Sequence, residues 1–267
     1  METVGSDQLL CHIQAVDQEG YKSRKNPSSC DQPNFYWIFK NMDFQRWQST
    51  NGSEVLWLSG PAECRISDAS SHIVNLVKRK PSDAQHLVLY FFCSTAPAET
   101  LIAINFVSTI IHQLVSHLPQ LGGKVTTVFL RALLDTAIRG KQLSDPAPPR
   151  FQEDVSTEAV VKEILKGPSI NGYCHALRAV MDVVPDQELS LIVDGLDKIG
   201  DQKREFVTEI LVFIEHLRER LPTTRILLTS RPQAEIKEIL SELPNIEFDK
   251  ERKASIISHS LRHATLS

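Results

Sequence analysis

The segment SEVLWLSGPAECRISDASS, from Ser53 to Ser71, decides the fold of this chain. It opens with an apolar run, Val55–Leu58, which leads through Ser59-Gly60 into a short turn and then an amphipathic pattern. A short, continuously apolar run is typical of a strand buried on both faces of a parallel sheet. The segment therefore predicts a strand, a glycine-containing turn and a helix over about 67–79, which is the layout of a phosphate-binding loop.

The same alternation of apolar strands and helical patterns continues along the chain. Further strands are predicted at 86–93, 189–193, 224–229 and 245–248, and helices at 98–118, 124–138, 156–166, 172–183, 201–220 and 233–241. Alternation of this kind predicts a parallel sheet covered by helices. We expect an α/β, P-loop NTPase-like three-layer fold, with about five mostly parallel strands and helices on both faces.

The outer segments differ in composition from this alternating region. Residues 1–33 are polar and irregular and predict a lead-in, whereas aromatic residues at helical spacing in 34–48 predict short helices, with Asp43 capping one that begins at Phe44. The proline-rich stretch 140–151 predicts a connecting loop. We therefore expect a domain over 34–249, followed over 250–267 by the start of a basic helical segment.

Composition narrows the functional classes. The chain has 267 residues, a net charge of −4 and a sequence pI near 6.1, which argue against general binding to nucleic acid or to an anionic membrane. No signal peptide or membrane-spanning apolar run is recognisable. The five cysteines have no metal-binding spacing and are expected to be reduced thiols of a cytoplasmic protein: Cys11, Cys30, Cys64, Cys93 and Cys174.

The turn after the first strand departs from the phosphate-loop pattern G-x-x-x-x-G-K-[ST]. With Gly60 as the first glycine and Ser67 as the final serine, Arg65 replaces the second glycine and Ile66 replaces the lysine. A register one residue shorter puts Arg65 on the lysine position, but it places Ile66 on the serine position. Glu63 adds a carboxylate near the expected phosphates, where a like charge about 4 Å away costs about 4 kcal/mol at an effective dielectric of 20.

Charged residues also follow the third and fourth strands, at the sheet edge where parallel sheets bind ligands. A carboxylate there can hold Mg²⁺, and an arginine can reach a γ-phosphate. Asp194 as a turn cap and Arg231 in a surface ion pair are the structural alternatives. The functional interpretation predicts Asp194 and Asp197 as catalytic carboxylates, Gly60, Arg65, Ser67 and Arg231 as nucleotide contacts, and Ser67 with Asp194 as Mg²⁺ ligands.

Taken together, these motifs resemble the NACHT-type NTPases of the STAND class. The resemblance is to the fungal branch related to nephrocystin-3-like N-terminal domains and heterokaryon-incompatibility proteins. It spans about residues 36–248 and rests on the order and spacing of these motifs: WIF at 37–39, FQRW at 44–47, VLWLSG at 55–60, YFFC at 90–93, IHQL at 111–114, LIVDGLD at 191–197 and LTSRP at 228–232.

The resemblance implies a cytoplasmic nucleotide switch that binds ATP or GTP with Mg²⁺ and signals through protein partners, related NACHT proteins among them. Family members carry glycine and lysine where this chain has Arg65 and Ile66, and commonly an acid where it has Lys198. We therefore expect a degenerate switch domain that acts as a protein-interaction or signalling module and has lost NTP hydrolysis, with no nucleotide cofactor if binding is also lost. The alternatives are an ATP- or GTP-binding NTPase that uses Arg65 in place of the lysine, and a fragment of a longer repeat-containing protein.

Overall fold

The computed structural model describes residue 18 and residues 36–79, 86–93, 102–142 and 169–248. The predicted helix at 156–166, the predicted helical segment at 250–267 and nearly all of the lead-in 1–33 lie outside these residues. The chain divides into two compact units, described here separately. The sheet unit comprises residues 17–99, 187–207 and 221–267, and the helical unit comprises residues 1–16, 100–186 and 208–220. The domain boundaries at 34 and 249 remain predictions.

A parallel sheet is the centre of the sheet unit. Its five described strands are β1 (Glu54–Ser59), β2 (His86–Phe92), β3 (Glu188–Asp194), β4 (Thr224–Ser230) and β5 (Asn245–Glu247). Their order is β2-β3-β4-β1-β5, and every neighbouring pair is parallel. The α/β class is thus confirmed, with an all-parallel sheet and helices around it. This architecture is consistent with the expected P-loop-like three-layer fold.

The helices that accompany the strands lie close to the predicted positions. They are α1 (Tyr36–Lys40), α2 (Met42–Ser49), α3 (Ile66–Lys78), α4 (Ile102–His117), α5 (Gly122–Gln142), α6 (Ile170–Met181), α7 (Lys203–Arg220) and α8 (Ala234–Ile239). Short 3₁₀ turns cover Ala62–Cys64, Pro119–Leu121 and Leu196–Lys198. Within the sheet unit, α3 packs against β2, β3 and β4, and α2 packs against β1.

Strand β1 is buried because its apolar run has neighbours on both edges and both faces. It pairs with β4 on one edge and β5 on the other, so that Trp57 lies opposite Leu228 and Asn245. The indole of Trp57 donates a hydrogen bond to Ser230 Oγ at 2.9 Å, and that of Trp47 donates to Ile226 O at 2.8 Å. Both buried indoles therefore have the polar partner that a buried tryptophan needs.

The strand order also places a ligand-binding crevice. After β1 the chain passes to β2 at the far edge, returns through β3 and β4, and then adds β5 on the other side of β1. The connections that leave the neighbouring strands β1 and β4 thus run in opposite directions along the sheet. Open α/β sheets bind ligands at such a reversal, outside the carboxyl ends of the strands. The turns after β1, β3 and β4 all meet at this edge.

Two local predictions were wrong. Asn41, and not Asp43, caps the second short helix: its Oδ1 accepts hydrogen bonds from the backbone N–H groups of Asp43 (2.9 Å) and Phe44 (3.2 Å). The helix therefore begins at Met42, and Asp43 lies in its first turn. Helix α5 continues to Gln142, into the stretch that was predicted to be a loop from 140, because that stretch has no proline before Pro146.

The helical unit is held together by an apolar interior and by a few ion pairs. Helix α6 packs against α4 and α5, and the rings of Phe106 and Phe213 meet edge to face with centroids 6.2 Å apart. The guanidinium of Arg178 lies 3.5 Å from the Glu209 carboxylate, a distance that fits an ion pair better than a hydrogen bond.

Candidate functional site

The turn after β1 begins at a glycine that the packing requires. A Cβ atom on Gly60 would lie 2.7 Å from Phe248 Cβ and 3.2 Å from Ile66 Cδ1. Phe248 and Ile66 both belong to the hydrophobic core, so neither can move aside at low cost. The absence of a side chain at Gly60 therefore lets the chain leave β1 without a clash, whether or not a phosphate binds there.

Arg65 occupies the backbone position predicted for the second glycine of the phosphate loop. Its φ and ψ angles are 53° and 45°, in the left-handed region, and no other non-glycine residue in the described part of the chain has a positive φ. This conformation costs a residue with a Cβ atom roughly 1–2 kcal/mol of free energy, whereas it costs glycine little. The turn thus has a glycine-type backbone without the glycine.

The Arg65 side chain forms an ion pair with the Asp68 carboxylate one turn further along α3. Asp68 is only 8% exposed, whereas Arg65 is 44% exposed. The carboxylate also lies in the first turn of the helix, where negative charge is favoured by the helix dipole. Arg65 is thus engaged with a carboxylate of its own chain at the position where it was predicted to meet a phosphate.

The central contact of the site comes from Lys198, in the 3₁₀ turn after β3. Its ammonium donates a hydrogen bond to Ser67 Oγ at 3.0 Å and another to Asp194 Oδ2 at 3.3 Å. Ser67 and Asp194 are the two residues predicted to bind Mg²⁺. The structure brings them together as predicted, and an ammonium group bridges them.

The carboxylate of Asp194 is fully buried and fully engaged. Its Oδ1 accepts hydrogen bonds from the hydroxyls of Ser70 (2.8 Å) and Thr229 (2.6 Å), and Oδ2 faces Lys198. Mg²⁺ requires ligands at about 2.0–2.1 Å in octahedral geometry. In this arrangement the residues do not fit a magnesium ion, because both oxygens and the Ser67 hydroxyl already have partners.

A tight turn at Gly195 makes the approach of Lys198 possible. Gly195 has a φ of 80°, and a Cβ atom there would lie 2.7 Å from Lys198 Nζ. Its N–H is within hydrogen-bonding distance of both Thr229 O (3.0 Å) and Thr229 Oγ1 (3.1 Å), which fixes the turn against β4. Lys198 N–H in turn bonds to Gly195 O at 2.9 Å. Both the backbone and the missing side chain at Gly195 therefore direct the ammonium inward.

Asp197 and Arg231 form a second pair at the rim of the site. Asp197 Oδ1 accepts a hydrogen bond from Arg231 N–H at 2.9 Å, and Oδ2 lies 3.4 Å from the guanidinium Nε. Asp197 is 6% exposed, whereas the Arg231 side chain is 56% exposed. Both predicted residues are therefore at the site, but they are paired with each other.

A cleft of about 290 Å³ lies over these groups, at the carboxyl edge of the sheet. The predicted residues Gly60, Arg65, Ser67, Asp197 and Arg231 line it together with Asp68, Gly195, Lys198 and Thr229. Asp194 lies beside it without lining it. Glu63, expected to oppose phosphate binding, is exposed and is not among the lining residues.

Sequence reasoning missed three polar groups of the site: Asp68, Ser70 and Thr229. Two of them had a usable signal. Asp68 stands three residues after Arg65 and Ser70 three after Ser67, the spacing of neighbours on one helical face. Thr229 had no such signal, because its role depends on the pairing of β4 beside β3.

A buried thiol borders the same network. Cys93 is fully buried, and its backbone N–H donates to Asp194 O at 2.8 Å. Burial raises the pKa of this thiol strongly, and the negative charge of Asp194 raises it further. Cys93 is therefore held as a neutral thiol and is unsuited to nucleophilic chemistry.

The described residues contain neither a metal-binding cluster nor a membrane-spanning helix. No group of three or more histidine, cysteine or acidic side chains there is arranged to hold a metal ion. Among the helices that the structure describes, none is both long enough and apolar enough to cross a bilayer.

Residues 34–145 match the family model described as nephrocystin 3, N-terminal. This nephrocystin-3-like segment covers less than half of the chain. It includes β1, the turn with Arg65 and Ser67, and β2, and it ends before β3 with Asp194. No curated protein matches the chain.

Proposed function

We propose that this chain is a nucleotide-switch domain of the NACHT/STAND type that has lost NTP hydrolysis and acts through protein contacts. One observation carries the proposal: the Lys198 ammonium bridges Ser67 and Asp194, the two groups that would hold Mg²⁺. Hydrolysis of a nucleoside triphosphate depends on a metal ion that bridges and neutralises the phosphates. A site whose predicted metal ligands are hydrogen-bonded to a lysine has no place for that metal ion.

The other cations of the cleft support the same proposal. Arg65 is paired with Asp68 and Arg231 with Asp197, so each arginine predicted to meet a phosphate is opposed by a carboxylate. A nucleotide that displaced Lys198 from Asp194 would have to offset an attraction of about 5 kcal/mol at an effective dielectric of 20. Weak binding of nucleotide follows from this charge balance.

The nephrocystin-3-like segment supports the switch-type assignment, because it contains the turn and helix where a nucleotide would sit. This proposal carries three further points over from the resemblance: the fungal branch of the family, the cytoplasmic location, and protein partners that include longer NACHT-type relatives. The domain would associate with such relatives without needing ATP or GTP.

Calorimetric titration of the purified chain with Mg-ATP and Mg-GTP, with phosphate release measured in parallel, tests the proposal. We expect a Kd of about 1 mM or weaker, which corresponds to a binding free energy of about −4 kcal/mol or a less favourable value. Phosphate release should not exceed that of a buffer sample without protein. A micromolar Kd accompanied by phosphate release would overturn it.

The second candidate is a working NTPase that uses Arg65 in place of the loop lysine. Its supporting observation is that Arg65 lines the cleft and is 44% exposed. It predicts micromolar nucleotide binding that Arg65→Ala and Asp194→Ala both abolish while the protein remains folded. The control is Lys203→Ala, since Lys203 bonds to Gln233 outside the cleft-lining residues.

A further inference from the structure

Lys198 stands where a divalent cation would have to stand. Its Nζ is 3.0 Å from Ser67 Oγ and 3.3 Å from Asp194 Oδ2, so one positive group contacts both predicted metal ligands at once. The Lys198 side chain is 20% exposed, whereas that of Asp194 is completely buried. A buried carboxylate without a compensating cation is strongly destabilising. The positive charge of Lys198 at this point therefore stabilises the fold.

The path of the lysine is built into the chain. Lys198 lies four residues after Asp194, and the turn between them closes at Gly195, where any Cβ would press within 2.7 Å of the ammonium. Helix α3 brings Ser67 to the other side. The position of the Lys198 ammonium thus depends on the turn at Gly195, on the start of α3 at Ser67 and on the spacing of four residues from Asp194.

An ammonium and a magnesium ion cannot share this position. The ammonium donates hydrogen bonds at about 3 Å and carries one charge, enough to balance one carboxylate, whereas Mg²⁺ binds oxygen at about 2.1 Å and usually keeps several waters. We infer that Lys198 is a built-in replacement for a divalent cation. The unaltered cleft excludes Mg²⁺ and Mn²⁺, and removal of the lysine side chain makes Ser67 and Asp194 into ligands for either metal. The inference rests on the proposed function, since it explains how the same cleft came to do without a metal.

The experiment measures metal binding with no nucleotide present. The thermal midpoint of the full chain is followed with EDTA or with Mg²⁺, and Mn²⁺ uptake is followed by electron paramagnetic resonance. For Lys198→Ala we expect a lower midpoint than the unaltered protein in EDTA. With metal about 100-fold above its Kd, the midpoint should rise by about 5 °C or more, with one Mn²⁺ bound per chain. The unaltered protein should show neither effect.

Two controls make the result specific. Lys203→Ala removes a lysine that contacts Gln233, and it should behave like the unaltered protein. The double variant Lys198→Ala with Asp194→Asn should lose the response to metal, because the carboxylate ligand is gone. Metal binding by the unaltered protein, or an equal response in the double variant, would overturn the inference.

A variant that fails to fold in EDTA still gives an answer. Refolding of Lys198→Ala on addition of Mg²⁺ supports the inference, and failure to refold with either metal overturns it. The outcome is separable from the proposed function, which is judged on the unaltered protein with nucleotide. Micromolar Mg-ATP binding there would remove the proposed function, whereas a silent Lys198→Ala variant would remove only the inference.

Discussion

The ion pair between Lys198 and Asp194 should dominate the stability of the site, and a double-mutant cycle can measure it. Lys198→Met keeps the length of the side chain but removes its charge, and it leaves the fully buried Asp194 carboxylate uncompensated. Breaking a buried pair from one side typically costs 3–5 kcal/mol, and the 20% exposure of Lys198 places this variant at the lower end, about 3 kcal/mol.

The partner change, Asp194→Asn, should cost less. The amide oxygen can still accept from the hydroxyls of Ser70 and Thr229, but the NH₂ group then faces the ammonium of Lys198. Since the lysine can turn partly toward solvent, we expect a loss of about 2 kcal/mol. In the double variant both charges are gone, so the cost should remain near 2 kcal/mol, which corresponds to a coupling energy of about 3 kcal/mol.

Urea unfolding followed by tryptophan fluorescence is a suitable assay. All three tryptophans of the chain lie in the sheet unit, and Trp57 bonds to Ser230 at the carboxyl end of β4. A matched cycle on Arg46 and Glu54, whose side chains are 57% and 26% exposed, should give a coupling energy of about 0.5 kcal/mol. If the two site substitutions are additive to within about 0.5 kcal/mol, the ammonium does not compensate the carboxylate and the reasoning fails.

Three further predictions concern the surroundings of the site. Gly60→Ala should lower the free energy of unfolding by about 1–3 kcal/mol because of the contact with Phe248, whereas Gly123→Ala, with nothing within 4 Å, should be close to neutral in the same urea assay. Arg65→Gly should be about 1 kcal/mol more stable than Arg65→Ala by thermal unfolding, because both lose the Asp68 pair but only glycine tolerates the left-handed backbone; equal stabilities would contradict the strain. Cys93 should resist iodoacetamide at pH 8 until urea is added. Labelling of Cys93 in the native protein at pH 8, read by peptide mass spectrometry, would contradict this resistance. Since burial raises the folded pKa of Cys93, the free energy of unfolding should also fall as the pH rises past the ordinary thiol value of 9.0.

Much of the fold followed from local pattern. The runs at 55–58, 86–93, 189–193 and 224–229 are strands within one residue at each end, because continuous apolarity over a short span suits a parallel sheet. The errors were also local. Asn41 replaced Asp43 as a helix cap, since either side chain can accept hydrogen bonds from the N–H groups two and three residues after it, and the sequence pattern does not choose between them.

The site was harder to predict, because its residues act through contacts between distant segments. The rule that strand ends converge at one edge of a parallel sheet placed Gly60, Ser67 and Asp194 near one another, and their role as a nucleotide and metal site stays a prediction. The sequence shows that Lys198 stands where related proteins commonly carry an acid, but it does not show where the Lys198 ammonium lies. Only the turn at Gly195 shows that the ammonium points inward and reaches Ser67.

The sequence alone determined the α/β architecture and the edge of the sheet where the site lies. Both depend on hydrophobic periodicity and on the alternation of strands and helices along the chain, which are read from short segments. The tertiary structure decided which charges neutralise one another: Arg65 with Asp68, Lys198 with Asp194, and Arg231 with Asp197. The last of these pairs joins turns after two different strands, and the Lys198 ammonium also reaches Ser67 on α3. Electrostatic energy falls with distance, and the distances from Asp197 to Arg231 and from Lys198 to Ser67 exist only after β3, β4 and α3 have packed.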